Sequence, residues 1–350
     1  MTDRKSAKPR IDTMEDLSVA IGVSRPTLSR YFQDPERVSR TSRERIRQGL
    51  ERVEYVPNFF ATRMNRKSTG MVGVLIPYLN DLFFTKLMES IERAAMAAGF
   101  TVITKCSHDD PKIEAHAVET FMSMSVDGAL IVPLGNRSDA DAYRRLASRL
   151  PSVLVDSRPE TLIGVDYVGT DHQQSLGLAV DYLCRVGAPP VFLAMPRTNF
   201  NAQVHEAYYI AKMEALGHEP QIIGTEALND ADHYESHGQA VLEAAFSRGE
   251  FTDRSILCAN DRVAIGALRA AATHGLEPGA QRRGGLRIMG HDDYPLGAFT
   301  VPSLTTVHQD LEGVGARAIE LLLEKIRGSK SLDAHVVYLF DATLKLRESA

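Results

Sequence analysis

The run Thr13-Met-Glu-Asp-Leu-Ser-Val-Ala-Ile-Gly-Val-Ser-Arg-Pro-Thr-Leu-Ser-Arg-Tyr-Phe32 constrains this chain more than any other segment. It reads as a helix, a tight turn at Ile21-Gly22-Val23, and a second helix. Thr13 is suited to cap the first helix, and Asp16 follows at a capping-box spacing. Leu17 and Ala20 give that helix an apolar stripe. Gly22 permits a turn that a side chain would obstruct. Ser24 is expected to cap the second helix, and Pro26 lies in its first turn, where a missing N–H is tolerated. The outward positions are then Arg25, Thr27, Ser29 and Arg30. These donors and cations suit base edges and phosphates in a major groove, so the chain is expected to bind DNA.

Charge supports this once its distribution is considered. The net charge of -5 by itself argues against a nucleic-acid partner. Residues 1–67, however, hold 15 Lys and Arg against 9 Asp and Glu, a net +6, which leaves −11 for the remainder. A basic head on an acidic body marks a DNA-binding module joined to something else. Cys106, Cys184 and Cys258 stand far apart, with neither a metal-ligand spacing nor a disulfide framework. They are expected to be free thiols in a reducing cytosol. Met1 to Arg10 lacks the apolar region of a secretory signal, and no apolar run is long enough to span a bilayer. A cytoplasmic protein without membrane contact is expected.

A third helix is expected from about Ser42 to Glu54, capped by Thr41 or Ser42 and closed by Tyr55-Val-Pro-Asn58. Beyond it lies a short basic segment, Phe59 to Gly70. From Met71 the texture changes. The apolar runs Met71–Ile76 and Gly128–Val132 read as strands buried on both faces, and helical patterns alternate with them along the chain. After residue 169 the alternation continues with helices at Gln173–Val186, Val204–Leu216, Tyr234–Phe246 and Arg262–His274. Strands lie between them at Val191–Ala194, Gln221–Ile223, Ser255–Ala259 and Leu286–Met289. Such alternation implies βαβ units and parallel sheets. A last helix is expected near Leu311–Arg327, followed by an extended tail at Val336–Leu346.

Several local motifs occur in a telling order. They are Asp16 to Ser24 with Thr27-Leu-Ser-Arg30, Arg43-Glu-Arg-Ile46, Tyr55-Val-Pro-Asn58, Asp127-Gly-Ala-Leu-Ile131, Ala259-Asn-Asp-Arg262, Gly290-His-Asp-Asp293, and Pro302-Ser-Leu-Thr-Thr306 with Gln309. In that order and spacing they resemble the lactose-repressor/galactose-repressor family of transcription regulators over nearly the whole chain. The resemblance implies an N-terminal all-α helix-turn-helix head and an α/β core of two doubly wound parallel-sheet subdomains, like periplasmic binding proteins. The implied division is a head at 1–57, a hinge helix or linker at 58–69, one core subdomain at 70–168 and 309–332, and the other at 169–308 and 333–350. It further implies a homodimer on a palindromic operator, controlled by a small sugar, polyol or sugar acid in the core cleft, with no cofactor, no metal and no catalysis.

The resemblance also nominates site residues. Ser24, Arg25, Pro26, Thr27, Ser29 and Arg30 are the DNA-contacting positions of the head. Arg25 is expected to carry most of the base readout, because Arg can grip guanine bidentately and Pro26 offers only apolar contact. Asn58, Ala61 and Met64 are the corresponding hinge positions, with Met64 where the family usually inserts a Leu wedge into the minor groove. In the cleft the carried-over positions are Asp156, His205, Asn260 and Asp292, at or near strand ends where doubly wound sheets place ligands. His205 departs from the family, which usually has Arg there to grip sugar hydroxyls. An imidazole changes reach and charge; His205→Ala is expected to weaken the ligand, and an affinity that varies between about pH 5 and 8 would support a direct imidazole contact. Arg158 and Arg197 lie in nearby loops and could offset the lost charge for an acidic ligand.

Two other readings compete. A solute-binding receptor without a DNA role would need export, and the head would have no place in it. An α/β enzyme would need a phosphate loop, a nucleophile elbow or a metal cluster, none of which the sequence displays. His108-Asp-Asp110 and His291-Asp-Asp293 could suggest a metal, but adjacent side chains rarely point at one ion.

Overall fold

A computed structural model describes residues 8–58, 68–159, 162, 164–196, 200–225, 233–279, 285–328 and 335–350. The chain divides into two compact units, Met1–Thr69 and Gly70–Ala350.

The first unit holds helices α1 (Met14–Ile21), α2 (Arg25–Gln33) and α3 (Arg40–Arg52). Thr13 caps α1 by accepting from the Asp16 amide at 3.1 Å, and its hydroxyl donates to the Asp16 carboxylate at 2.6 Å. The turn places Gly22 at φ +65, and a Cβ there would lie 2.7 Å from the Arg45 guanidinium. Leu17, Val23, Leu28, Ile46 and Val53 form the small core that fixes the helices. Three details differ from the sequence expectation. Ser24 occupies the N-cap position of α2, but its hydroxyl bonds the Thr27 hydroxyl at 2.9 Å instead of the helix backbone. The third helix begins two residues early, because Ser39 rather than Thr41 or Ser42 accepts from the Ser42 amide. It also ends at Arg52, since Glu54–Tyr55 (β2) pairs in parallel with Arg10–Ile11 (β1).

The second unit contains two parallel sheets. The larger has strand order β13-β7-β6-β5-β3-β4, built from Met71–Ile76 (β3), Thr101–Cys106 (β4), Gly128–Ile131 (β5), Ser152–Val155 (β6), Asp166–Thr170 (β7) and Val337–Phe340 (β13). The smaller has the order β11-β10-β8-β9, from Val191–Leu193 (β8), Ile222–Ile223 (β9), Ser255–Cys258 (β10) and Arg287–Met289 (β11). Thr306–His308 (β12) and Thr343–Lys345 (β14) form an antiparallel pair. The central strands are buried throughout, as their unbroken apolar runs require. Helices α4 (Leu82–Ala97), α5 (Pro111–Ser123), α6 (Ala140–Ala147) and α11 (Leu311–Ile326) accompany the larger sheet. Helices α7 (His172–Val186), α8 (Phe200–Ala215), α9 (Tyr234–Ser247) and α10 (Asp261–Thr273) accompany the smaller.

Two features depart from the expected division. Strand β7 is not apparent in the sequence, because Asp166 and Gly169 interrupt its apolar pattern. The C-terminal segment 333–350, expected in the second subdomain, is shared between the two. Val337–Phe340 extends the larger sheet in register with Tyr167–Thr170, whereas Thr343–Lys345 returns to the smaller subdomain beside β12.

The chain therefore crosses between the sheets three times, after β7, between β12 and α11, and between β13 and β14. Side chains tie these crossings together. The Thr170 hydroxyl donates to Gln309 Oε1 at 2.5 Å. Gln174 donates to the Ala342 carbonyl at 3.0 Å and accepts from its amide at 2.9 Å.

Asp166 explains why a carboxylate is tolerated in β7. It is fully buried, lies 2.6 Å from Lys325 Nζ on α11, and accepts from the Val336 amide at 2.7 Å. Removing one partner of a buried pair leaves an uncompensated charge. Lys325→Met is expected to destabilise the core by about 3–5 kcal/mol in urea unfolding. The double change Lys325→Met with Asp166→Asn is expected to recover much of that loss.

Candidate functional site

Strand ends of both sheets converge on a small cavity. Its volume is about 60 Å³, and Asp81, Phe84, Asp156, His172, Asn201, His205, Asn260, Arg262, Asp292 and Gln309 are among its lining residues. The four cleft positions named from sequence, Asp156, His205, Asn260 and Asp292, thus face one space although they span residues 156–292. Arg158 does not line it and lies 6.0 Å from the centre of the Tyr167 ring. Arg197 falls outside the described residues.

Asp156 follows β6 at φ +65, and Asp292 follows β11 at φ +130. Such backbone is strained for a side-chain-bearing residue and persists only where the surroundings enforce it. An amide orients each carboxylate. Asn201 Nδ2 donates to Asp156 Oδ2 at 3.0 Å, and Gln309 Nε2 donates to Asp292 Oδ1 at 2.7 Å. Asn260 caps α10 by accepting from the Val263 amide at 2.8 Å, while its Nδ2 meets Met195 Sδ at 3.4 Å. Its side-chain oxygen is thereby held by the helix, and Nδ2 is its donor toward the cavity.

His205 is buried, with Nδ1 3.1 Å from the Ala259 carbonyl and Nε2 3.1 Å from His172 Nδ1. His291 stands beside them, so three imidazoles offer ligand atoms within 4.8 Å of one another. Sequence spacing could not reveal this cluster, because His172, His205 and His291 belong to separate elements.

The sequence reading also passed over a clasp across the cavity. Arg262, in the first turn of α10, donates to Asp81 Oδ2 at 3.1 Å and to both oxygens of Glu235 at 2.7 and 2.9 Å. Asp81 caps α4 of the larger subdomain, whereas Glu235 lies on α9 of the smaller. A cation in the first turn opposes the helix dipole, so an unexplained Arg directly after Asn260-Asp261 is a signal that carboxylates hold it. Asp261 has a structural role of its own. It accepts from the Thr306 hydroxyl at 2.5 Å and the Tyr294 amide at 2.6 Å, and a Cβ on Gly290 would lie 1.9 Å from its Oδ1.

Burial and mutual repulsion dominate the electrostatics. Desolvation, aided by Asp292, pushes Asp156 up to about 7. Desolvation and Asp292 likewise raise Asp261 to about 8, and burial together with Asp81 raises Asp292 well above the usual carboxylate range. Burial lowers His172 to about 3 and His291 to about 4. His205 falls well below its ordinary value through burial and the two neighbouring imidazoles. Burial and these neighbours thus disfavour the protonated form of the His205 ring.

In the head, Ser24, Arg25, Pro26 and Arg30 are exposed along α2, Thr27 and Ser29 are half-buried, and Leu28 points into the core. Arg25 lies 3.7 Å from Glu15, a loose exposed pair. Asn58 is exposed, and Ala61 and Met64 lie outside the described residues, as do Arg63, Arg66 and Lys67.

A helix-turn-helix unit joined to a two-sheet core with a cavity at its strand ends defines a DNA-binding transcription regulator, not an enzyme. Residues 13–58 match the bacterial regulatory proteins of the lacI family, and residues 180–350 match the periplasmic binding protein-like domain. The chain is 27% identical to the HTH-type transcriptional regulator MalR of Streptomyces coelicolor over 93% of each chain. It is 28% identical to the ribose operon repressor of Halalkalibacterium halodurans over 96% of each. It is 26% identical to the HTH-type transcriptional repressor CytR of Escherichia coli over 90% of each. The fold matches that of the lac repressor dimer bound to operator and the anti-inducer ONPF, with a TM-score of 0.84 at 24% identity, covering 98% of this chain and 99% of that one. The chain belongs to the lacI family of bacterial regulatory proteins. No helix among the described residues is long and apolar enough to cross a membrane.

The shifted groups give the core a defined pH response. Up to about pH 6.5 the effects oppose each other. Raised carboxyls keep protons that the unfolded chain loses, so their contribution to stability falls as pH rises. Depressed imidazoles decline protons that the unfolded chain takes, so their contribution rises. Above the ordinary histidine value only the carboxyl effect remains. The thermal midpoint of the core is therefore expected to fall between about pH 6.5 and 8, as Asp156 and Asp261 ionise. Calorimetry across that range should show a shallower fall for Asp156→Asn.

Proposed function

We propose that this regulator is a cytoplasmic homodimeric repressor. In this reading α2 reads a palindromic operator and a small, neutral, hydroxyl-rich effector in the core cavity controls operator affinity. One observation carries the effector reading: Asp156 and Asp292, each oriented by an amide, face the Asn260 donor across the same cavity. Carboxylates and amides at fixed positions match the alternating donors and acceptors of a sugar or polyol. The ribose operon repressor and a regulator solved with cellobiose, a structural neighbour of TM-score 0.66 at 21% identity, are both carbohydrate-related by name.

The division into a head, a hinge segment and two interleaved core subdomains supplies the mechanism. The cavity of about 60 Å³ is well below the roughly 300 Å³ lower range of small-molecule sites. An effector of sugar size therefore requires the cleft to open, and opening separates Arg262 from Asp81. Control follows if the effector binds the open and closed cores with affinities that differ by about 1–3 kcal/mol. An exposed apolar stretch, Leu296, Phe299 and Val301, is suited to a subunit interface; Phe299 is 84% and Val301 92% exposed.

Selecting operators from random DNA and then titrating variants tests both halves. Arg25→Ala is expected to weaken operator binding by about 1–3 kcal/mol and relax base preference, with little change on random DNA. Equal loss on both DNAs would reduce Arg25 to a phosphate contact. Asp292→Ala is expected to bind operator near normally and lose its response to whichever sugar or polyol shifts the melting temperature of the unmodified protein. An intact response would refute the cavity assignment.

A further inference from the structure

The three buried imidazoles beside the cavity are more than its wall. A backbone carbonyl can only accept, so the 3.1 Å contact to Ala259 places the His205 proton on Nδ1 and leaves Nε2 bare. His172 Nδ1 must then donate to that nitrogen, which leaves His172 Nε2 bare, buried and without a hydrogen-bond partner. His291 has Nδ1 3.1 Å from Asp292 Oδ1 and Nε2 3.0 Å from the Ser175 hydroxyl. That hydroxyl has one proton and a second acceptor, the His172 carbonyl at 3.2 Å. Among the ring nitrogens of the cluster, His172 Nε2 is the one without a hydrogen-bond partner, since Gln309 Nε2 also stands 3.4 Å from His291 Nδ1.

We propose that His172, His205 and His291 together bind a divalent transition-metal ion of the zinc type, with a non-protein fourth ligand on the cavity side. The geometry agrees at several points. Two nitrogens on one tetrahedral zinc ion stand about 3.3 Å apart, given zinc–nitrogen bonds of roughly 2.0–2.1 Å. His205 Nε2 and His172 Nδ1 are 3.1 Å apart, and binding through both moves the His172 proton from Nδ1 to Nε2. The three ligand atoms spread over up to 4.8 Å, beyond the roughly 4.2 Å that one ion with such bonds can span, so a ring must shift inward on binding. Metal-bound histidines characteristically donate their other N–H to a carbonyl or a carboxylate. Here the Ala259 carbonyl faces His205 Nδ1, and the Asp292 carboxylate faces His291 Nδ1. All three rings are buried, and coordination requires the neutral imidazole. Three nitrogen donors select zinc, cobalt, nickel or copper over magnesium or calcium. His172 and His205 line the cavity, so a water or an effector hydroxyl there can complete the coordination.

The test uses the full-length protein, stripped with chelator and titrated with Zn²⁺ or Co²⁺ with no DNA or sugar present. Metal binding is thereby measured apart from the effector reading, and either can fail while the other stands. One equivalent of Zn²⁺ per chain and a raised melting temperature are expected. Co²⁺ should give the intense visible bands of a tetrahedral, nitrogen-rich site. His172→Asn, His205→Gln and His291→Phe should each weaken binding at least 10-fold while circular dichroism confirms the fold. Binding that is substoichiometric, or equally strong in folded variants, would overturn the proposal. If a variant fails to fold, the Co²⁺ spectrum of the unmodified protein decides, and the faint spectrum of an octahedral ion would equally overturn it.

Discussion

Everything in the core depends on three chain crossings being locked to one another. A parallel sheet cannot close on itself locally, so each subdomain borrows its continuity from the other. Thr170, Gln309, Gln174 and Ala342 tie the crossings together through one buried and two part-buried side-chain hydrogen bonds. Gln309 matters most. Its Oε1 accepts from Thr170 in the crossing and its Nε2 donates to Asp292 in the cavity. One planar amide thus bonds both a chain crossing and a cavity carboxylate.

The cavity shows how a protein keeps acidic groups in a dry place. Asp156, Asp261 and Asp292 gather near the strand ends, where burial and mutual repulsion favour their protonated forms. Each is compensated by a specific donor, Asn201, Thr306 or Gln309, rather than by bulk solvent. Positive φ at Asp156, Asp292 and Asp293 stores strain in the same place. Binding sites often carry such strain because the scaffold, not local preference, sets the geometry.

Much of this architecture was legible in the sequence, and the exceptions have physical causes. The helix-turn-helix was readable because Thr13, Gly22 and Pro26 act locally, within a turn of their own positions. The buried strands were readable because burial on both faces demands unbroken apolar runs. Strand β7 escaped because its carboxylate is matched by Lys325, 159 residues later in the chain, and no local pattern records that pairing. The tail was misassigned because four strand residues and three strand residues, two positions apart, serve different sheets. At the site, Asp156, His205, Asn260 and Asp292 could be named only through family resemblance. The histidine cluster and the Arg262 clasp depend on tertiary convergence and had at most an indirect trace, a cation at the wrong end of a helix.

That clasp has a kinetic meaning. Arg262 and Asp81 stand at the cavity as half-hidden charges, 17% and 9% exposed, on opposite subdomains. Any molecule reaching the interior must wait for them to part, and parting two ions in a partly dry setting is a thermally activated event. Salt screens so buried a pair only weakly. If the proposed effector enters here, the clasp slows entry and exit together, and a captured effector outlasts brief fluctuations in its concentration.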